Sequence, residues 1–297
     1  MTNKVIDVVL VTYKPDVGLL ELCINSLYFQ VRKIWIINNY ASEFNIQDEF
    51  VDISNNIEII QLSENFGIAH AQNLGIQKAL EHQAEYIILS DQDTLYPVDF
   101  VQNMLPAFTE NNNSITAVAP LFHDAVGNKK NEGFILLSKF GYSFIFPDNG
   151  YYEVNQAIAS GLIIKSATLR DIGLMNDELF IDWVDFEWCW RAISKGYHII
   201  GNANVLIEHN LGDEQVHIAH KSMTVRAPLR HYYIVRNAFY LACYSPYLDF
   251  RHRLNLFYRG LFHVAAYSIL AKPRFENFKI TLLGFYHGLT RRLGRLD

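Results

Sequence analysis

Short apolar runs alternate with helix-like segments along the first ninety residues, and this alternation constrains the fold most. Val5–Thr12 is a continuous apolar run with β-branched residues, which is typical of a strand buried on both faces, and Tyr86–Ser90 is predicted to be another buried strand. Ile34–Asn38 and Ile57–Leu62 are predicted to be two further short strands. The helix-like segments between them are Asp16–Gln30 and Phe66–Glu81. Such alternation predicts an α/β fold with a Rossmann-like, mixed but mostly parallel sheet and flanking helices. Ligands of such sheets bind beyond the carboxyl ends of the strands, so we expect the functional residues there.

The rest of the chain changes character twice. Gly, Asn, Lys and aromatic residues alternate in Gly133–Phe146, which indicates an antiparallel ribbon laid on the sheet. Asp182–Lys195 is predicted to be a helix that ends at Gly196, and beyond residue 226 the pattern is helical and strongly aromatic. Because no Pro-, Gly- or Ser-rich linker precedes this tail, we expect residues 226–297 to pack on a body formed by residues 1–225.

The charge of the chain is divided unevenly between body and tail. The tail carries twelve Lys and Arg but three Asp and Glu, a net charge of +9, whereas the body carries −15 and the whole chain −6. This asymmetry indicates a tail that meets a polyanion or an anionic membrane surface, or else a basic helical face that is merely solvated. No stretch reaches the ~20 uncharged apolar residues of a membrane-spanning helix. Three cysteines cannot form a disulfide framework, which favours a reducing compartment.

Two carboxylates, Asp91 and Asp93, directly follow the fourth apolar run. Carboxylates two residues apart at a strand end can direct oxygens at one Mg²⁺ or Mn²⁺, whose other ligands are waters and phosphate oxygens. An ordinary acidic turn would have the same sequence. His209 follows another apolar run and can complete such a metal site through a ring nitrogen, or simply make a hydrogen bond.

Small residues recur in the second helix-like segment, at Gly67, Ala69, Ala71 and Gly75. They would let a helix lie close to a nucleotide, and close packing on a neighbouring strand explains them equally well. The glycine spacing of a dinucleotide-binding fingerprint is absent, which disfavours a nucleotide-dependent oxidoreductase.

The densest group of chemically active side chains lies in Phe180–Arg191. Asp182 and Asp185 are three residues apart and would lie on one side of a first helical turn, where acidic residues also suit the helix dipole. Three tryptophans, three carboxylates and an arginine exceed what a helix cap needs. Carboxylates beside aromatic faces suit a sugar, with one carboxylate acting as a general base.

The tail contains a second group, in which Arg230, Tyr233 and Asn237 fall at i, i+3 and i+7 on one helix face, with Arg236 close by. Such a face can grip a phosphate or an acceptor. A solvated basic face with aromatic packing is the alternative.

Together these motifs resemble those of the inverting family 2 glycosyltransferases with the GT-A fold, and most closely the rhamnosyltransferase branch that builds bacterial O-antigen and capsule polysaccharides. The resemblance extends from about Val5 to Asn237, and its most specific parts are Leu89–Thr94 and Phe180–Arg191. It implies a GT-A catalytic domain over residues 1–225, with a nucleotide-binding part at about 1–120 and an acceptor part at about 121–225. A C-terminal helical extension follows.

The resemblance also implies roles for individual residues. Asp185 would be the catalytic base, and Asp93 would bind the metal with help from His209. The residues expected to hold the acceptor or support the base are Asp182, Glu187, Trp188 and Arg191. The residues expected to bind the nucleotide are Thr12, Tyr13, Pro15, Asn38, Asn65, Gly67, Gln72, Asn73, Asp91, Arg230 and Arg236.

Three positions depart from the family's pattern. Asn38 replaces the aspartate that usually reads the base, although its amide can still accept a hydrogen bond from N3–H of thymine or uracil. Gln72 stands where many relatives have an arginine, and Val184 replaces the first acid of the family's Glu-Asp motif.

The implied reaction is a single in-line displacement that depends on Mg²⁺ or Mn²⁺ and inverts the anomeric carbon. The favoured donor is dTDP-β-L-rhamnose and the expected acceptor is a lipid-linked oligosaccharide. A galactofuranosyl- or hexosyltransferase that uses a UDP-sugar is an alternative, as is a non-catalytic protein that binds nucleotide sugars.

The same resemblance leads us to expect a cytoplasmic enzyme, peripheral on the inner face of the bacterial plasma membrane, with no nucleic-acid partner. The basic, aromatic tail would lie on the anionic membrane surface. Alternatively, its aromatic residues would form a homodimer interface.

Overall fold

The structure is a computed structural model and describes residues 4–40, 56–108, 114–124, 133–138, 141–209, 214–218, 221–225, 228–270 and 272–296. Its strands are β1 (Ile6–Thr12), β2 (Lys33–Asn38), β3 (Ile57–Gln61), β4 (Tyr86–Asp91), β5 (Thr94–Leu95), β6 (Ile115–Asp124), β7 (Phe134–Ser138), β8 (Gly141–Ile145), β9 (Tyr151–Val154), β10 (Leu162–Lys165), β11 (His198–His209), β12 (Glu214–Ile218) and β13 (Lys221–Val225). Its α-helices are α1 (Val17–Tyr28), α2 (Ile68–Glu81), α3 (Phe100–Met104), α4 (Ser166–Ile172), α5 (Val184–Ser194), α6 (Pro228–Tyr244), α7 (Phe250–Leu270) and α8 (Arg274–Leu289). Short 3₁₀ turns span Leu105–Ala107 and Asp177–Leu179.

One mixed sheet forms the centre of the molecule, with the strand order β3-β2-β1-β4-β10-β6-β11-β5. Strands β1 to β4 pair in parallel, as do β6 and β11. Strand β10 runs antiparallel between β4 and β6, and β9 and β5 pair antiparallel with the two ends of β11. The predicted mixed, mostly parallel sheet is therefore confirmed, and the predicted antiparallel ribbon is present as the β7–β8 hairpin.

The core lies on both faces of this sheet because β1 is buried along its whole length. Alternate side chains of a strand point to opposite faces. Val9 and Val11 accordingly pack with the α2 side, and Val8 and Leu10 with the α1 side. A Cβ atom on Gly75 of α2 would lie 2.3 Å from Cγ1 of Val9, so close helix–sheet packing explains this small residue.

The register of the strands brings their carboxyl ends to one edge. Thr12 lies opposite Asn38, Asn38 lies opposite Gln61, and Asp91 lies opposite the residue before Thr12. Strand β5 pairs Thr94 with His209 and so brings the end of β11 to the same edge.

The helix expected to begin at Asp182 begins instead at Val184. The reason is a left-handed backbone, with φ of 63° at Phe180, 62° at Asp182 and 66° at Trp183, which no α-helix can contain. We call this segment the Phe180–Trp183 turn. Asp182 therefore precedes the helix and does not share its first turn with Asp185, contrary to the spacing argument.

The helices α6, α7 and α8 pack against one another, and α8 lies very close to α6. A Cβ atom on Gly284 would lie 2.6 Å from the carbonyl oxygen of Tyr232. Helix α6 also meets the body, because the ring of Tyr233 stacks on Phe180 with centroids 4.8 Å apart. Within the described ranges, no helix has the length and apolar character needed to cross a membrane.

Candidate functional site

Two carboxylates from distant parts of the chain are held by consecutive residues of one loop. Ser160 Oγ donates a hydrogen bond to Asp91 Oδ2 at the end of β4. The backbone N–H of Ala159 donates to Asp185 Oδ2, in the first turn of α5, at 3.0 Å. Gly161 N–H in turn donates to the carbonyl oxygen of Leu89 at 2.9 Å, which fixes the loop against β4. Asp91 and Asp185 therefore converge at the carboxyl edge of the sheet.

The environment of Asp185 makes it a stronger base than an ordinary aspartate. Burial raises the pKa of its carboxyl from the usual 3.8 to about 6. Backbone hydrogen bonds from Asp185 itself and from Ala159 oppose the rise, and the negative charges of Asp91 and Asp182 add to it. Such a carboxylate is still deprotonated at neutral pH, so it can accept a proton from a hydroxyl group.

The expected supporting residues of α5 face the protein interior. Glu187 forms a bidentate ion pair with Arg191, with N–O distances of 3.0 and 2.9 Å, and burial raises the pKa of Glu187. Arg191 also donates to the carbonyl oxygens of Ile172 and Leu174 at the end of α4. Trp188 is fully buried, and its Nε1 donates to the carbonyl of the residue after α4. These side chains are placed to support the helix that carries Asp185.

The strand ends on the other side of Asp91 form a hydrogen-bonded row. Thr12 Oγ1 donates to Asn38 Oδ1 at 3.0 Å, and Asn38 Nδ2 donates to Gln61 Oε1 at 2.7 Å. The side-chain oxygen Oδ1 of Asn38 can accept two hydrogen bonds. It therefore keeps one lone pair beyond the bond that it accepts from Thr12. Gln92 bonds to both the N–H and the carbonyl of Tyr13, at 2.8 and 3.3 Å, and so ties the loop after β1 to the Asp91–Asp93 segment.

An exposed aromatic and cationic group lies beyond this row. Tyr13 is 44% exposed, and its ring meets the edge of Tyr40 with centroids 5.3 Å apart. The ammonium of Lys14 lies 4.9 Å from the Tyr40 ring centroid. The sequence pointed to Tyr13 and Pro15 here, whereas Lys14 and Tyr40 were missed because no local pattern places them together.

The loop before α2 contacts the Phe180–Trp183 turn. Asn65 Oδ1 accepts from Gly67 N–H at 2.9 Å, and the carbonyl oxygen of Phe180 accepts from Ile68 N–H at 2.8 Å. Gly67 has φ of +89°, and a Cβ atom there would lie 2.5 Å from that carbonyl oxygen, so only glycine fits. The expected nucleotide and acceptor parts therefore touch at this point.

Several expected nucleotide-binding residues have partners within the protein. Asn73 uses its amide on the backbone of Met175 and on the Asp177 carboxylate. Arg230 pairs with Asp182 at 3.4 Å. Gln72 is buried, and its Oε1 has no hydrogen-bond partner among the described residues.

Arg236 is the residue whose surroundings differ most from the expectation. Its side chain is fully buried, and its guanidinium donates to the carbonyl oxygens of Glu178, Leu179 and Gly294. This guanidinium therefore binds protein backbone rather than solvent. Sequence alone showed its charge and its helix but not these carbonyl groups.

Comparison with known proteins now identifies the family. A family model described as "Glycosyl transferase family 2" matches residues 7–166, more than half of the chain. The chain belongs to glycosyl transferase family 2. It is also 34% identical, over 248 residues and 80% of each chain, to the "dTDP-rhamnosyl transferase RfbF" of Shigella flexneri. The family resemblance noted in the sequence is thereby confirmed.

Solved structures support the GT-A fold of this glycosyltransferase. S. aureus TarS superposes with a TM-score of 0.62 at 13% identity, covering 97% of this chain and 50% of that one. GalNAc-T7, crystallised with UDP, GalNAc and Mn²⁺, gives a TM-score of 0.59 at 14% identity, covering 91% of this chain and 58% of that one. This chain thus spans about half the length of both solved proteins, and the likeness concerns the fold.

The structure describes only part of the residues that the sequence predicts to bind a divalent cation. Over the described ranges, no three or more His, Cys, Asp and Glu side chains are grouped to hold a metal ion. Asp93 lies between β4 and β5 and offers a hard oxygen ligand, which suits a cation whose shell is completed by waters and phosphate oxygens. The backbone of His209 lies opposite Thr94, whereas its side chain is outside the described residues.

Proposed function

We propose that this protein transfers L-rhamnose from dTDP-β-L-rhamnose, with inversion, to a hydroxyl group of a lipid-linked saccharide in bacterial surface polysaccharide synthesis. The convergence of Asp185 with Asp91 at the carboxyl edge of the sheet carries the proposal. The 34% identity to a dTDP-rhamnosyl transferase supports the choice of donor.

In the proposed reaction, Asp185 accepts the proton of the acceptor hydroxyl. The hydroxyl oxygen forms a bond to the anomeric carbon while the bond from that carbon to the diphosphate oxygen breaks. The Ala159 N–H fixes one oxygen of the Asp185 carboxylate, and lone pairs of the carboxylate that accept no hydrogen bond can take the proton. A positioned base of this kind contributes ~10²–10⁴-fold to the rate.

The nucleotide would lie along the edge formed by Thr12, Asn38 and Asp91. The remaining lone pair of Asn38 Oδ1 can accept from N3–H of thymine, and Tyr13 can stack on the base. Asp93, with His209, would hold Mg²⁺ or Mn²⁺, which when bound would neutralise charge on the diphosphate.

A transfer assay with matched donors tests the proposal. Purified protein is incubated with a lipid-linked saccharide acceptor and with dTDP-rhamnose, UDP-galactofuranose or UDP-hexoses, in the presence of Mg²⁺ or Mn²⁺ or of EDTA. Thermal shifts are recorded in parallel. We expect stabilisation and turnover with dTDP-rhamnose, both lost with EDTA. A preference for a UDP-sugar would overturn the assignment of dTDP-rhamnose as the donor, and equal activity in EDTA would overturn the metal dependence. Binding without turnover would indicate a non-catalytic protein.

The outer surface of α7 and α8 supports a membrane-bound acceptor. Large apolar side chains are exposed there, and they are Phe250, Leu254, Tyr258, Leu261, Phe262, Ile269, Phe275, Phe278, Leu282, Leu283 and Tyr286. Exposed basic residues lie among them, including Arg251, Arg259, Arg274 and Lys279. Aromatic residues that insert at an interface, combined with cations that attract anionic headgroups, are typical of surface-bound helices.

Flotation with vesicles tests this membrane association. We expect binding to vesicles of anionic phosphatidylglycerol in phosphatidylcholine and not to phosphatidylcholine alone, with weaker binding of Phe262→Ser and Phe275→Ser. If the protein instead sediments as a dimer in buffer, and both substitutions dissociate that dimer, the surface is a homodimer interface.

A further inference from the structure

The Phe180–Trp183 turn has a backbone that must be held in place. Three of its four residues are non-glycine residues in the left-handed region. Such conformations cost free energy and persist only where the surrounding structure over-determines them. The turn immediately precedes α5, so its conformation sets where Asp182 lies and how the helix that carries Asp185 begins.

The carboxamide of Asn237 on α6 binds this turn at several points. Its Nδ2 donates to the carbonyl oxygens of Leu179, Ile181 and Asp182, at 2.9, 2.8 and 3.0 Å. Since an amide nitrogen carries two hydrogens, one N–H is shared between two acceptors. The side chain is fully buried, so water does not compete for these bonds.

The orientation of the carboxamide is itself fixed. Arg236 Nε donates to Asn237 Oδ1 at 2.9 Å, which leaves Nδ2 directed at the turn. The same arginine binds the carbonyl oxygens of Glu178 and Leu179. At the end of the turn, Trp183 Nε1 donates to the carbonyl oxygen of Ile234, also on α6, at 3.1 Å.

We propose that Asn237 is a positioning residue that holds the Phe180–Trp183 turn in its left-handed conformation and thereby aligns Asp182 and Asp185 for the acceptor. The proposal rests on the proposed role of Asp185 as base. The Asn237 side chain is fully buried and binds backbone carbonyl groups, so it would act through the turn rather than on the reacting atoms. Because a misplacement of about 1 Å in a reacting group costs about 10²-fold in rate, loss of its N–H donors should lower turnover strongly.

The test replaces Asn237 with a residue that lacks the donors. Asn237→Asp keeps the size and cannot donate to three carbonyls, and Asn237→Ala removes the group. Asn202 is the matched control because it is equally buried and its Nδ2 also donates to a backbone carbonyl, that of Asn103 at 3.0 Å. Asn202→Asp and Asn202→Ala therefore report the general cost of losing a buried carboxamide.

We expect both Asn237 variants to lose about 10²-fold in kcat, with the Kd for dTDP-rhamnose changed less than about twofold. Hydrogen exchange should accelerate in the peptide 178–184 and stay unchanged in β1 and β4. The pH at which kcat/KM of Asn237→Ala reaches half its plateau should fall below the wild-type value, because a displaced turn exposes the Asp185 carboxyl, and burial is the largest cause of its raised pKa. The Asn202 variants should keep wild-type kcat per folded molecule.

Wild-type kcat in a folded Asn237 variant, or an equal loss in the Asn202 variants, would overturn the positioning role. If both Asn237 variants fail to fold while the Asn202 variants fold, Asn237 is a folding residue and the proposal fails. Full turnover in Asp185→Asn would instead overturn the role of the base. The two failures are therefore distinguishable.

Discussion

Replacement of Asp185 by asparagine should abolish transfer and also stabilise the fold at neutral pH. Burial raises the pKa of this carboxyl from 3.8 to about 6, so the folded state favours the protonated form. The contribution of this group to stability is fully present below pH 3.8 and is lost as the pH rises through 6. Two pKa units at 1.36 kcal/mol each make the loss about 3 kcal/mol above pH 7. Asparagine has the same size, carries no charge and keeps an oxygen for the N–H of Ala159.

The assay is urea unfolding of both proteins between pH 5 and pH 8, without nucleotide or metal. The asparagine variant should be more stable by about 1.5 kcal/mol at pH 5 and about 3 kcal/mol at pH 7. The difference grows because the unfolded wild type loses the proton above pH 3.8 while the folded carboxyl keeps it until about pH 6, and it levels off above that pH. At pH 7 the expected rise in Tm is roughly 5–10 °C. Transfer measured on the same preparation should fall by at least ~10², the lower bound for a general base.

Asp99→Asn is the matched control, because Asp99 is exposed and its side chain makes no cap bond to α3. Its stability should stay within ~0.5 kcal/mol of the wild type at every pH. An Asp185→Asn variant that is less stable than the wild type at pH 7, or whose advantage does not change with pH, would refute the raised pKa. A stabilised variant with wild-type turnover would support the raised pKa of Asp185 but refute its role as the general base.

Three further predictions concern the same site. Wild-type kcat/KM should rise with pH through about 6 and then level, because Asp185 must lose its proton before it can act, and initial rates that stay flat from pH 5 to 8 would contradict this. Ser160→Ala removes the O–H that donates to the Asp91 carboxylate and should lower kcat/KM by about 10-fold, as expected for one hydrogen bond of ~1–1.5 kcal/mol. Unchanged steady-state kinetics would exclude that contribution. Gly67→Ala should lower the free energy of unfolding by about 1–3 kcal/mol more than Gly196→Ala, since both glycines have positive φ but only the first has the Phe180 carbonyl against its Cβ position, and equal losses in urea unfolding would contradict the clash.

Local periodicity was sufficient to predict the part of the fold from β1 to β4. The runs around β1, β2 and β4 are continuous and buried, whereas β3 alternates and is only partly buried. The predicted bounds of all four strands agree with the structure to within a residue. The carboxylates Asp91 and Asp93 were found for the same reason, because they follow directly after such a run. The edge of the sheet on which Thr12 and Asn38 lie follows from parallel pairing, which alternation predicts.

Local sequence patterns could not predict the residues that complete the candidate site. Ala159 and Ser160 act only because β10 inserts antiparallel between β4 and β6, and no periodicity predicts that insertion. The one available signal was a run of small residues ending at Gly161, directly before an apolar strand. The left-handed φ values at Asp182 and Trp183 were equally hidden, since neither residue is a glycine that would have marked them.

The type of a charged or polar residue in the sequence also does not indicate which groups surround its side chain in the fold. Arg236 and Asn73 have the side chains of phosphate and ribose ligands, yet both bind backbone carbonyl groups. The same is true of Asn237, which the sequence placed with Arg230 and Tyr233 on one helix face predicted to bind a phosphate or an acceptor. All three do lie on one face of α6, and what they grip is the chain itself at Asp182, Phe180 and the carbonyls between them.

The span of the family model separates the two halves of this enzyme. The match ends at residue 166, after β4 and the loop that holds Asp91 but before Asp185 and α6. The proposed base and the helix that holds its turn therefore come from a part of the chain that the family model does not describe. The two parts meet where the Phe180 carbonyl binds the N–H of Ile68, so a change in one must be accommodated at that contact.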